Sequence, residues 1–166
     1  MERWKSYSDI EVGARFKGPG RTITEADVVM FTALTCGFHQ PIHTDLEWVR
    51  ENTSFEERLL PGPAILAYAI GLLSSTLVYR DITIAFAGID ALRARAPVFP
   101  GDTITATAEV KSKRVTSDGT KAVVTLAITV AKQDGAAVMT CDYALMVRAD
   151  AGGGTNESEK EKQDAR

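Results

Sequence analysis

The sequence predicts an α+β fold, an antiparallel sheet wrapped around one long buried helix, and three observations carry that expectation. Residues 64–78, from Ala64 through Tyr68 to Val78, include no charge, and a helix that is apolar on every side belongs among other elements. Beyond it the pattern changes to period two: Thr103, Thr105 and Thr107 alternate with Ile104, Ala106, Ala108 and Val110, and Val124, Leu126, Ile128 and Val130 recur likewise. Ser117-Asp118-Gly119 and Gln133-Asp134-Gly135 punctuate those runs as Asp-Gly turns, so residues 102–149 should form a meander of three long strands.

In chain order, residues 1–23 read as a mixed lead-in with turn signals at Gly13 and Gly18-Pro19-Gly20. Thr24 is a helix N-cap with Asp27 three residues on, where a capping box normally has Glu or Gln; Val28, Phe31 and Leu34 follow at helical spacing, and Gly37 stops the helix. A loop over 38–44 leads to a second short helix, capped by Thr44 or Asp45 and running through Trp48 and Val49, and a link covers 54–60. Pro63 suits the first turn of the central helix, whose small residues Ala67, Ala69, Gly71 and Ser74 would let a sheet approach closely. A long buried helix wrapped by an antiparallel sheet is the hot-dog arrangement. Its open sheet edge makes a dimer the expectation, of like chains or, as a heterodimer, of unlike ones. Residues 1–149 are expected to be one domain. Residues 150–166, with Gly152-Gly153-Gly154 and then mixed charges without a large apolar side chain, are expected to be a disordered tail.

Composition bounds the function. A chain of 166 residues with 45% hydrophobic content can bury one good core. A net charge of −3 and the lack of a Lys and Arg cluster with interleaved aromatics argue against a nucleic-acid partner. The longest apolar run, residues 64–73, is too short to cross a bilayer, and Met1-Glu2-Arg3-Trp4 does not open an apolar leader, so no membrane partner and a cytoplasmic location are expected. Cys36 and Cys141 have neither disulfide nor zinc spacing and read as buried thiols; no ligand cluster implies a metal or redox cofactor.

Two segments carry chemistry. Gln40-Pro41-Ile42-His43-Thr44-Asp45 is a proline-stiffened loop that fixes an imidazole, a plausible acid or base near neutral pH. Pro97-Val98-Phe99-Pro100-Gly101-Asp102-Thr103-Ile104 is a glycine turn that opens an alternating strand. Between them Gly62, flanked by prolines at a helix start, combines an accessible N–H with the positive end of the helix dipole.

The order of these segments around one apolar helix resembles the MaoC-like enoyl-CoA hydratase family, over residues 8–148. That family shows a threonine-started helix, an Asp-x-Asn-Pro-x-His loop, a His-Gly pair before the central helix and a Pro-Val-x-x-Gly-Asp turn; residues 24–34, Pro41-Ile42-His43, Gly62 and 97–102 stand in those places. The resemblance implies hydration of a trans-2-enoyl thioester to an (R)-3-hydroxyacyl thioester, or the reverse, with coenzyme A or an acyl-carrier protein present only as part of the substrate and no separate cofactor. It makes His43 the catalytic histidine and the Gly62 amide the oxyanion donor; the alternatives are a loop histidine bonded only to backbone and a turn residue between prolines.

The departures fall at the reacting end. Phe38 stands where the family has its catalytic aspartate, Gln40 replaces the Asn, Pro61 replaces the histidine of the His-Gly pair, and a serine of the helix is replaced near Ala67 or Tyr68. Another group must then serve the aspartate's role: His39, Asp45, Asp27, or Glu56 or Glu57 of a facing protomer. His39 is the foremost of these, since the chain has two histidines and they lie four apart. Gln40, Asp45, Pro61 and Tyr68 are candidate substrate contacts, against a capping role for Asp45 and core packing for Tyr68. Trp48, Phe55, Leu59 and Leu60 are candidates for an acyl pocket, and Arg93 and Arg95 either meet coenzyme A phosphates or are solvated strand positions. A hot-dog thioesterase, or a dehydratase of the fatty-acid-synthesis type, would place an Asp or Glu on the central helix, and 64–78 contains neither. The remaining alternative is a noncatalytic acyl-binding or stabilising subunit of a heteromeric hydratase.

Overall fold

The computed structural model describes residues 2–35 and 40–150. The expected meander is present: β4 (Thr103–Val115), β5 (Lys121–Ala131) and β6 (Ala137–Arg148) pair antiparallel in sequence order. Alternation sets the register, because one face of each strand must be covered. Ile104, Ala106, Ala108 and Val110 face inward from β4, Val124, Leu126, Ile128 and Val130 from β5, and Cys141, Tyr143, Leu145 and Val147 from β6. Leu126 lies opposite Tyr143, and Ile128 opposite Cys141. Gly119 and Gly135 adopt φ of +71° and +87° in the turns, the left-handed conformation that glycine enters without steric cost.

Three further strands complete the sheet. β3 (Thr83–Ala94) pairs with β6 along one edge, and β1 (Arg15–Lys17) and β2 (Arg21–Thr22) pair with β4 on the other side. The path β1-β4-β5-β6-β3 and the helix laid against its inner face make the hot-dog arrangement. Ile84, Phe86 and Leu92 of β3 are exposed on the open edge. Register shifts interrupt β3, and Ala91 takes φ of +51° beside one of them.

Helix α1 (Glu25–Leu34) starts as expected: the Thr24 amide and hydroxyl both donate to the Asp27 carboxylate, at 2.8 and 2.7 Å. The central helix, α4 (Gly62–Ser74), has Pro61 as N-cap and Pro63 in its first turn. It buries Ala64, Ile65, Ala69 and Leu73, leaves Ala67, Gly71 and Ser74 exposed, and ends at Ser74 rather than near Val78. The expectation of a helix enclosed on all sides is therefore corrected within one chain, and of Ala67, Ala69, Gly71 and Ser74 only Ala69 is buried. Close approach falls elsewhere: a Cβ on Gly18 would lie 2.6 Å from the Leu72 carbonyl oxygen.

The proline-stiffened loop is also tighter than expected. Residues Pro41–Thr44 form a single helical turn, α2, followed directly by α3 (Leu46–Asn52). Asp150, expected to open the tail, is instead tied to the lead-in, its carboxylate accepting the amides of Tyr7 and Ser8 at 2.7 and 2.9 Å. The remainder of the expected tail, 151–166, lies outside the described residues. Cys141 is buried, which raises its thiol pKa; Cys36 and Gly37 lie outside the described residues. Among the described residues, no helix is long and apolar enough to cross a membrane, and no three His, Cys, Asp or Glu gather as metal ligands.

Candidate active site

His43 is placed by backbone first. Pro41 occupies the first turn of α2, where its fixed φ favours helix, and the His43 amide donates to the Gln40 carbonyl at 2.9 Å. The side chain is only 8% exposed, and its Nδ1 lies 2.8 Å from the Leu59 carbonyl oxygen. A carbonyl can only accept, so Nδ1 carries the proton and Nε2 is the basic nitrogen of the neutral ring. That is the tautomer a general base requires.

Gly62 is the first residue of α4, and the amides of a helix's first turn have no intrahelical acceptor. His43 and Gly62 line one cavity of about 330 Å³, walled also by Phe55, Leu59, Leu60, Ile65 and residues 94–98. The cavity thus brings a histidine and the first residue of a helix, at the positive end of its dipole, to one largely apolar wall. Asp102 holds the glycine turn that supplies part of that wall. Its carboxylate accepts the Phe99 amide at 2.9 Å and pairs with Lys132 at 2.7 Å, while Gly101 turns the chain at φ of +92°. Burial would raise the Asp102 pKa, but Lys132, the Phe99 amide and Gln133 outweigh it and lower the pKa. Phe99 in turn packs edge-on against Phe55, with ring centroids 5.5 Å apart.

A second cavity, of about 300 Å³, also reaches His43, between α1 and α2, and is lined by Val29, Thr32, Ala33, His43, Thr44 and Arg58.

The other candidates occupy varied positions. Gln40 is exposed, and its carbonyl caps α2. The Asp45 carboxylate accepts the Trp48 amide at 3.0 Å and caps α3. Pro61 is buried next to Gly62. The Tyr68 hydroxyl donates to Asp27 at 2.8 Å, and the Arg21 guanidinium lies 4.6 Å from its ring centre. Asp27 accepts from Thr24, Arg21 and Tyr68. Burial would raise its pKa, yet those hydrogen bonds bring it down from 3.8 to about 2, so at neutral pH it is a fixed carboxylate and a poor base.

Of the candidates for an acyl pocket, Phe55, Leu59 and Leu60 line the His43 cavity, whereas Trp48 is exposed on α3. Glu56 and Glu57 are exposed; Arg95 stands exposed on the cavity wall, and Arg93 is exposed on β3. Phe38 and His39 lie outside the described residues. Sequence reasoning missed Arg58, an unremarkable basic residue in a charged link whose part is set entirely by tertiary contacts.

The fold is a hot-dog sheet and helix with a buried histidine and the start of the central helix on one largely apolar cavity, and comparison with known proteins gives its family. Residues 9–132 match the MaoC like domain, and the chain belongs to that family. It is 38% identical to the protein MaoC of Klebsiella aerogenes over 111 residues, 67% of this chain, and spans 32% of that relative's length. Among solved structures, an Archaeoglobus protein described as a monoamine oxidase regulatory protein superposes with a TM-score of 0.81 at 34% identity, over 87% of this chain and 95% of that one. The (R)-hydratase of A. caviae involved in PHA biosynthesis superposes with a TM-score of 0.66 at 28% identity, over 85% of this chain and 98% of that one.

Proposed function

We propose that the chain adds water to trans-2-enoyl thioesters to give (R)-3-hydroxyacyl thioesters, or runs the reverse dehydration, on acyl-CoA or acyl-carrier substrates. The observation that carries this reading is the shared cavity of His43 and Gly62, with the His43 tautomer fixed by Leu59. The A. caviae relative is itself named an (R)-hydratase, which supports the reaction class.

In the hydration direction, Nε2 of His43 removes a proton from water as the oxygen bonds to C3 of the substrate. The double-bond electrons move toward the thioester, and the Gly62 amide donates to the oxygen where charge develops. The imidazolium returns the proton to C2, which leaves the enzyme unchanged, and no carboxylate takes part. His39 could share this proton transfer in place of the aspartate missing at Phe38. Leu59, Leu60, Phe55 and Ile65 hold the acyl end, and Arg95 faces the carrier end. We further propose a cytoplasmic homodimer or heterodimer, closed over the β3 edge.

Chiral analysis of the product made from crotonyl-CoA by the wild-type chain tests the reading. Formation of the (R)-3-hydroxy thioester is expected. No product from crotonyl-CoA or from a longer enoyl-CoA would contradict it, and would turn attention to a binding subunit and its partner chain. A large fall in turnover in His39→Ala would place the second histidine in the proton path.

A further inference from the structure

We propose that Arg58 is the positioning residue for His43, acting through the segment 58–60 rather than on substrate; this rests on the reading of His43 as the catalytic base. A single helical turn such as α2 cannot support itself, since helix nucleation is unfavourable and four residues gain little from propagation. Its orientation must come from ties to other elements, and consecutive residues of one extended segment provide them. Arg58 Nη1 donates to the Thr44 carbonyl, the last of α2, at 3.4 Å, while Nη2 of the same guanidinium pairs with the Glu25 carboxylate in the first turn of α1. The Leu59 amide donates to the Ile42 carbonyl at 3.2 Å, the Leu59 carbonyl accepts from His43 Nδ1 at 2.8 Å, and the Leu60 amide donates to the Val98 carbonyl at 2.8 Å.

The atom that selects the His43 tautomer is therefore the carbonyl of the residue next to Arg58. The guanidinium is mostly shielded, at 21% side-chain exposure, and its planar fork can serve a carboxylate and a carbonyl at once. Its charge also suits the negative end of the short helix. Removing it cuts the tie of the 58–60 segment to α1 and one of its ties to α2, leaving the Leu59 amide to Ile42 and the Leu60 amide to Val98, so the Leu59 carbonyl is held less firmly as the acceptor for Nδ1–H. Arg58 also lines the cavity between α1 and α2, so a direct substrate contact is the competing role that the test must separate.

The test is the long-range ¹H–¹⁵N imidazole spectrum of the full chain, with His43→Ala used to assign the two histidines. The wild type should show His43 as the Nδ1–H tautomer. Arg58→Ala should show a mixture of both tautomers, and Arg58→Lys should restore much of the wild-type pattern. Glu25→Gln, on the exposed side of the same link, should shift the tautomer ratio in the same direction by less, and it decides the matter if Arg58→Ala does not fold. On crotonyl-CoA, Arg58→Ala should lower kcat by about tenfold to a hundredfold, with KM within about twofold. An unchanged His43 spectrum in a folded Arg58→Ala chain, or a raised KM at unchanged kcat, would overturn the proposal. Because the spectrum needs no turnover, a chain inactive on enoyl-CoA would count against the proposed function and leave the positioning role to be decided by the tautomer alone.

Discussion

Asp27 joins three elements through one carboxylate, taking hydrogen bonds from Thr24 at the head of α1, Arg21 on β2 and Tyr68 on α4. Its pKa, held near 2 in the folded chain against 3.8 for the free group, makes stability depend on acid. The unfolded chain binds the proton more tightly, so the contribution is fully present above the ordinary carboxylate pKa and is lost as pH falls through the folded value. The shift corresponds to about 2 kcal/mol. Asp27→Asn should be destabilised by about that amount at neutral pH. Urea midpoints measured between neutral pH and pH 2 should converge for wild type and variant; parallel curves would contradict this account of Asp27. The same cluster explains why Tyr68, a candidate substrate contact on sequence grounds, is engaged elsewhere: its hydroxyl stabilises a charge that no sequence pattern places beside it.

Where elements pack, the closest approach lies between the lead-in and α4. A Cβ at Gly18 would meet the carbonyl oxygen and carbon of Leu72 at 2.6 and 2.7 Å, and backbone atoms cannot rotate away as a side chain can. Gly18→Ala should therefore cost about 1–3 kcal/mol, by analogy with overpacking in a core. Gly20→Ala, whose Cβ would come no nearer than 3.4 Å to Thr103 Cγ2, should be close to neutral. Thermal unfolding of the two variants checks the pair; equal melting temperatures would contradict it. The elements legible in the sequence were those whose own periodicity sufficed: the capping box at Thr24 and Asp27, the alternation through Ile104 and Leu126, and the Asp-Gly turns. β1 and β2 were not legible, because strands of three and two residues are defined by their partner β4 and not by any pattern of their own. In the site, His43 and Gly62 were marked by prolines and by their place beside an apolar helix. The tie to Leu59 was not, because a backbone carbonyl leaves no trace in residue identity.

Among the described residues, the surfaces that one chain leaves open include the β3 edge with Ile84, Phe86 and Leu92, the side of α4 that carries Ala67 and Gly71, and the Val29, Met30 and Leu34 side chains of α1. An edge strand with exposed large apolar residues favours pairing with another strand, so a dimer in solution follows from the proposal. Sedimentation velocity should show a dimer for the wild type and a monomer for Ile84→Asp, with little loss of fold in the variant since Ile84 is 46% exposed. A wild-type chain that sediments as a monomer alone would favour an unlike partner over this edge.

The central claim is that His43 and Gly62 form one reactive cavity, and its most direct test is the rate at which the conjugated thioester absorbance of crotonyl-CoA is lost with wild type beside His43→Ala. The account predicts measurable hydration by the wild type and a fall in kcat of about a hundredfold to ten-thousandfold in His43→Ala, the range for losing a general acid–base group. A folded His43→Ala chain that hydrates crotonyl-CoA as fast as the wild type would contradict it.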